Sequence, residues 1–139
     1  MGGLWLQRII VFPPTTRLTG DSYVRRCLST VVNELAGQQR IFQQDNATPH
    51  KCSGVFSYLR RKNVDFIDNW PPYSPDLNMV ELVWPLLNTR VSEQHPTGWE
   101  SLRTSIHSAW DSIKQEEIND LCLGFQSRVH DVLKQGGSC

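Results

Sequence analysis

Three short runs rich in β-branched and aromatic residues, at positions 8–12, 40–44 and 64–68, are separated by two stretches of helical period. No other feature constrains the fold of this chain as strongly. Pro13-Pro14 closes the first run. Between the first and second, Val24, Cys27, Leu28, Val31 and Leu35 recur at a spacing of about 3.6, with Asp21 or Ser22 to cap the start and Gly37 to end it. Between the second and third, Cys52, Val55, Phe56 and Leu59 form another stripe, finished by Arg60-Arg61-Lys62. Strand, helix, strand, helix, strand is the order of an α/β unit with neighbouring parallel strands. The expected fold class is therefore α/β, a short sheet with flanking helices.

Beyond this unit the pattern turns helical. The segment from Trp70 to Pro75 is punctuated by prolines and cannot donate a regular ladder of backbone hydrogen bonds. Asn78 is a good cap for a helix reaching about Val91, with Val80, Val83, Trp84 and Leu87 on its apolar face. Thr97 and Glu100 have capping-box spacing ahead of Leu102, Ile106, Ala109 or Trp110, and Ile113. Ile118, Leu121, Cys122, Phe125, Val129 and Val132 mark a last helix, which Gly136-Gly137 ends. At 139 residues, with no repeat and no linker, the chain is expected to form one domain over residues 1–139.

Fourteen basic residues balance fourteen acidic ones, so no global charge draws the chain to nucleic acid and any such contact is local. Cys27, Cys52, Cys122 and Cys139 lack the paired spacing of a zinc site and are too few for a disulfide scaffold. They fit the reduced thiols of an intracellular protein. The first residues carry neither a secretory signal nor a myristoylation signal, and no stretch is long enough to span a membrane.

Two carboxylates stand out against this background. Asp45 falls at the carboxyl end of the second expected strand and Glu81 early in the helix after the proline-rich segment. Magnesium and manganese take oxygen ligands from rigid elements and keep water positions for a substrate phosphate. In two-metal phosphoryl transfer the ions sit roughly 3.5 to 4 Å apart. Each acid alone also suits a plainer role, Asp45 capping the following turn and Glu81 favouring the helix dipole. Asn46 suits a ligand contact or the turn, and His50 suits orienting a phosphate or an acid, or a simple hydrogen bond.

The words around these acids are more specific. Phe42-Gln-Gln-Asp-Asn-Ala47 with His50, then Trp70-Pro-Pro-Tyr-Ser-Pro-Asp-Leu-Asn78 with Glu81 and Trp84, closely resemble the second half of the DDE catalytic domain of Tc/mariner-type transposases. Asp21-Ser-Tyr23 and the tail from Arg128 extend the likeness over nearly the whole chain. The resemblance implies a truncated ribonuclease H-like fold with a helical C-terminal part, in which Asp45 is similar to the second acid of the triad and Glu81 to the third. It further implies Mg2+ or Mn2+ held by Asp45 and Glu81, with Asn46 and His50 in support. It implies DNA at transposon ends as the partner, admits a homodimer, and puts the work in the nucleus if the host is eukaryotic and otherwise inside the cell.

Departures from the family pattern shape the expectation. The first catalytic aspartate and the helix-turn-helix region, both upstream in the family, have no counterpart in these residues, and Met79 stands where the family usually has proline. Pro85, four residues after Glu81, removes the hydrogen bond to the Glu81 carbonyl. The expected function is thus a partial DDE transposase domain, contributing metal-dependent DNA cleavage and strand transfer to a complete parent protein and inactive alone. Two alternatives stand beside it. One is a non-enzymatic nucleic-acid or protein-binding module derived from such a transposase, the other a small nuclease recruiting Asp65 or Asp68.

Overall fold

The computed structural model describes residues 9–72 and 77–135, Val132 by its backbone alone. The chain divides into two compact units, Phe12–Ser74 and the combination of Met1–Val11 with Pro75–Cys139. Each unit carries its own cluster of buried apolar side chains.

In the unit Phe12–Ser74 a continuous helical stretch begins not at Asp21 but at Thr19. Thr19 Oγ1 accepts from the Ser22 amide at 3.2 Å and Ser22 Oγ accepts from the Thr19 amide at 2.8 Å, a reciprocal cap that satisfies two otherwise orphaned donors. Helix α1 (Gly20–Tyr23) runs into a π-turn (Val24–Leu28) and then α2 (Ser29–Leu35). The π-turn is marked by the Ser29 amide reaching back to the Val24 carbonyl. Its extra residue shifts the buried face, so the buried positions are Tyr23, Leu28 and Val32, not the even stripe through Val31 and Leu35. Gly37, at φ +76°, occupies the left-handed conformation past the end of α2 that glycine adopts without strain.

Helix α3 (Ser53–Arg61) buries Val55 and Leu59 completely, as the stripe predicts. With Leu28, which is also fully covered, these side chains each contribute about 1.5–3 kcal/mol of burial. Tyr23, Val32, Phe42, Val64 and Phe66 complete the cluster around them.

The expected sheet does not form. Among the described residues there is no β-strand, and the α/β, ribonuclease H-like expectation of a short sheet with flanking helices is corrected to a helical architecture. The segments 40–44 and 64–68 meet at one isolated parallel bridge, Phe42 with Phe66. There the Phe42 amide donates to the Asp65 carbonyl at 2.7 Å and the Ile67 amide to the Phe42 carbonyl at 3.1 Å. β-propensity is a preference for a paired, half-buried surface more than an intrinsic state of the backbone. The described residues supply one pairing and leave Ile41 and Ile67 exposed, so the pattern of β-branched residues is present without the ladder it needs.

Among its described residues the other unit is helical wherever it has regular structure. A 3₁₀ turn (Met79–Leu82) precedes α4 (Val83–Ser92), followed by α5 (Trp99–Ser112) and α6 (Gln115–Lys134). Val83, Leu87 and Val91 of α4 pack with Ala109 and Ile113 and with Ile118 and Cys122 of α6. The start of α5 differs from the Thr97 and Glu100 box. Ser101 Oγ instead accepts from the Thr97 and Gly98 amides at 2.9 and 3.0 Å. No helix among the described residues is long and apolar enough to cross a membrane. The Gly136-Gly137 stop lies outside the described residues.

Candidate functional site

Asp45 follows the Phe42 bridge by three residues and opens a tight turn. Its Oδ1 accepts from the Ala47 amide at 2.9 Å, which is the way an aspartate side chain closes a turn on its own backbone. The same oxygen lies 2.7 Å from His50 Nδ1. A carboxylate only accepts hydrogen bonds, so with Asp45 ionised Nδ1 carries the hydrogen. His50 is brought round by its own amide, which donates to the Ala47 carbonyl at 2.8 Å. Nothing among the described residues bonds Oδ2, and the Asp45 side chain is half exposed.

Asn46 faces a different partner. Its Nδ2 donates to the Trp70 carbonyl at 2.8 Å, fastening the Asp45 turn to the start of the proline-rich segment. Gln44, one residue before Asp45, is buried and uses both ends of its amide. Its Oε1 accepts from the Tyr23 hydroxyl at 2.9 Å and its Nε2 donates to the His50 carbonyl at 3.2 Å. Burial raises the Tyr23 hydroxyl well above the usual tyrosine range, and the nearby Cys27 and Asp45 push the same way, so the phenol stays protonated and donates. The Cys27 thiol is raised by its own burial against the opposing pull of Arg26.

Glu81 belongs to the other unit. It stands exposed on the 3₁₀ turn Met79–Leu82, its amide donating to the Asn78 carbonyl at 3.0 Å, while Asn78 Oδ1 accepts from the Val80 amide at 3.3 Å. The expected cap is therefore in place, but it starts a 3₁₀ turn rather than an α-helix. Pro85 falls in the first turn of α4, where its missing N–H is tolerated, and the α-helical geometry does not extend back to Glu81. Among the described residues Glu81 has no side-chain partner.

The Asp45 side chain is half exposed and Glu81 is exposed, and carboxylate oxygens are the hard donors that Mg2+ and Mn2+ take. Among the described residues no group of three or more acidic, histidine or cysteine side chains gathers. Asp65 and Asp68 are exposed. The sequence singled out Asp45, Asn46, His50 and Glu81 but not Tyr23 or Gln44 as part of the site. Neither periodicity nor a motif's chemistry flags a neutral amide, and the π-turn that follows Tyr23 has no sequence signature of its own.

Known proteins align along these same residues. The pattern of the DDE superfamily endonucleases matches residues 2–103, which include Tyr23, Gln44, Asp45, Asn46, His50 and Glu81. The chain is 34% identical over 99 residues to the Tc3 transposase of Caenorhabditis elegans, covering 70% of this chain and 30% of that protein. It is 31% identical over 101 residues to the Tc1 transposase of the same organism and 30% identical over 101 residues to the Tcb1 transposase of Caenorhabditis briggsae, covering 73% of this chain and 37% of each relative. The chain belongs to the DDE superfamily endonucleases, as a transposase domain of the Tc/mariner type. It spans about a third of the length of these relatives.

Proposed function

We propose that this chain supplies the second and third acids, Asp45 and Glu81, of a metal-dependent site that cleaves and rejoins DNA at transposon ends. The observation that carries the reading is the asymmetry of the Asp45 carboxylate. Oδ1 is committed to the Ala47 amide and His50, and among the described residues nothing bonds Oδ2, which leaves it to act as a ligand. Asp45 and Glu81 would hold Mg2+ or Mn2+, which when bound activates an attacking oxygen and stabilises a leaving one. Asp45 presents an oriented oxygen, His50 keeps that carboxylate from turning, and Asn46 holds the turn to the Trp70 segment. In a eukaryotic cell the substrate puts this work in the nucleus.

Two acids hold too few positions for a pair of ions, so the 139-residue polypeptide by itself is expected to bind Mn2+ weakly and to leave DNA intact. A fusion carrying a family-like upstream segment with its aspartate is expected to cleave. The test compares both proteins on a DNA substrate with manganese, together with Asp45→Asn and Glu81→Gln versions of the fusion. Cleavage by the fusion that is lost in either substitution supports the reading. Strong cleavage by the 139-residue chain, abolished by Asp45→Asn, would replace it with a stand-alone nuclease, and DNA retained without cleavage by any version would favour a binding module.

A further inference from the structure

His50 is held from two sides, by Tyr23 far away in sequence and by Gln44 six residues before it. The Tyr23 ring lies against its imidazole, with centroids 4.4 Å apart and planes at 37°. The Tyr23 hydroxyl reaches Gln44, and Gln44 in turn reaches the His50 carbonyl, so one tyrosine grips both the ring and the backbone of the histidine. Tyr23 and Gln44 are both buried, which removes water as a substitute partner. The loop of contacts then ends at Asp45 Oδ1, 2.7 Å from His50 Nδ1.

We propose that Tyr23 and Gln44 are positioning residues for the Asp45 carboxylate, fixing His50 so that Oδ1 stays committed and Oδ2 stays free for a divalent cation. This rests on the reading of Asp45 as a metal ligand. Hydrogen-bonded partners behind a ligand set its orientation, and losing one costs about 10–100-fold in metal affinity. The raised Tyr23 hydroxyl keeps its proton throughout the neutral range and so remains a donor to Gln44. Tyr23 is the last residue before the π-turn, and its direction is set at that junction.

The experiment uses the 139-residue chain and two readouts: Mn2+ affinity from water proton relaxation, and the downfield proton resonance of the His50 ring N–H. Tyr23→Phe keeps the ring against His50 and deletes one oxygen. Gln44→Met keeps the length and deletes both hydrogen bonds. Far-UV circular dichroism checks folding, and Tyr23→Phe decides if Gln44→Met does not fold. Each variant is expected to weaken Mn2+ binding about tenfold or more and to shift or broaden the ring N–H, with Asp45→Asn removing the binding. Unchanged affinity and an unchanged ring N–H in Tyr23→Phe overturn the proposal. If Mn2+ binding survives Asp45→Asn, the metal reading beneath it fails. The ring N–H then still decides whether Tyr23 and Gln44 fix His50.

Discussion

Arg90 of α4 ties together the ends of two other helices. Its Nη2 donates to Glu117 Oε1 on α6 while its Nη1 donates to Ser112 Oγ at the end of α5 at 3.1 Å. Glu117 Oε2 also accepts from the Lys114 amide at 2.9 Å. The Arg90 hydrogen bond, helped by the Lys114 amide, holds the Glu117 carboxyl below the usual glutamate range.

That direction gives a pH dependence. A carboxyl lowered on folding adds stability above its unfolded value of about 4.3, and the contribution is lost as pH falls through the lower folded value. Arg90→Met is expected to reduce the thermal midpoint at neutral pH by a small amount, because the pair is partly exposed. Once the pH has fallen well below the usual glutamate range the deficit should shrink towards zero. Midpoints of both proteins across the acid range check this. An equal deficit at both ends would mean that Arg90 acts through packing alone.

Helix α1 passes very close to the turn that leads into α3. A Cβ on Gly20 would lie 2.6 Å from both Cβ and Sγ of Cys52. Gly20→Ala is therefore expected to cost about 1–3 kcal/mol. Because Cβ itself is in the way, Cys52→Ala should not relieve the clash and Cys52→Gly should. Urea denaturation of the double-mutant cycle with Cys52→Gly measures it, and strict additivity would remove this contact as the cause.

Each buried cluster has a side chain whose loss leaves a void. Leu59 and Ile118 are completely covered, one in each unit. Truncation of either to alanine is expected to cost about 2–5 kcal/mol. Denaturant titration checks it, and a cost well under 1 kcal/mol at either position would show a site able to collapse around the deletion.

Pro85 leaves the Glu81 carbonyl without its α-helical donor. Pro85→Ala supplies an N–H able to donate to the Glu81 carbonyl, so the α-helix is expected to grow backwards through Leu82 and displace the 3₁₀ turn. Hydrogen exchange should then show protection at the new residue 85 amide. A freely exchanging amide there would mean that the Asn78 cap, not the proline, imposes the turn.

The sequence was most legible where local pattern and burial agree. The stripe of α3 marks its two covered residues, Val55 and Leu59, and the candidate ligand Asp45 stands beside the His50 named with it. It was least legible where the outcome depends on distant chain. The β-rich runs at 40–44 and 64–68 are genuine in composition, but a ladder is made by neighbours and these runs share one bridge. At Val24–Leu28 the failure is different. A period of 3.6 carried straight through the stretch puts Val31 on the covered face, whereas one inserted residue moves Val32 there. Side-chain chemistry also hid the part played by Tyr23 and Gln44, since neither carries charge and both owe their role to where the backbone aims them.

The extra residue of the π-turn sets the site against the helix that bears it. Removing one residue from Val24–Leu28 would let Gly20–Leu35 run as an uninterrupted α-helix, which favours backbone regularity. Each residue of an α-helix turns the chain through about 100°, so with Leu28 and Val32 anchored in their cluster the deletion would swing Tyr23 away from Gln44 and His50. Engineering this chain for greater helical stability would thus select against the orientation of its own tyrosine, and the irregular turn is the part of the helix least open to improvement.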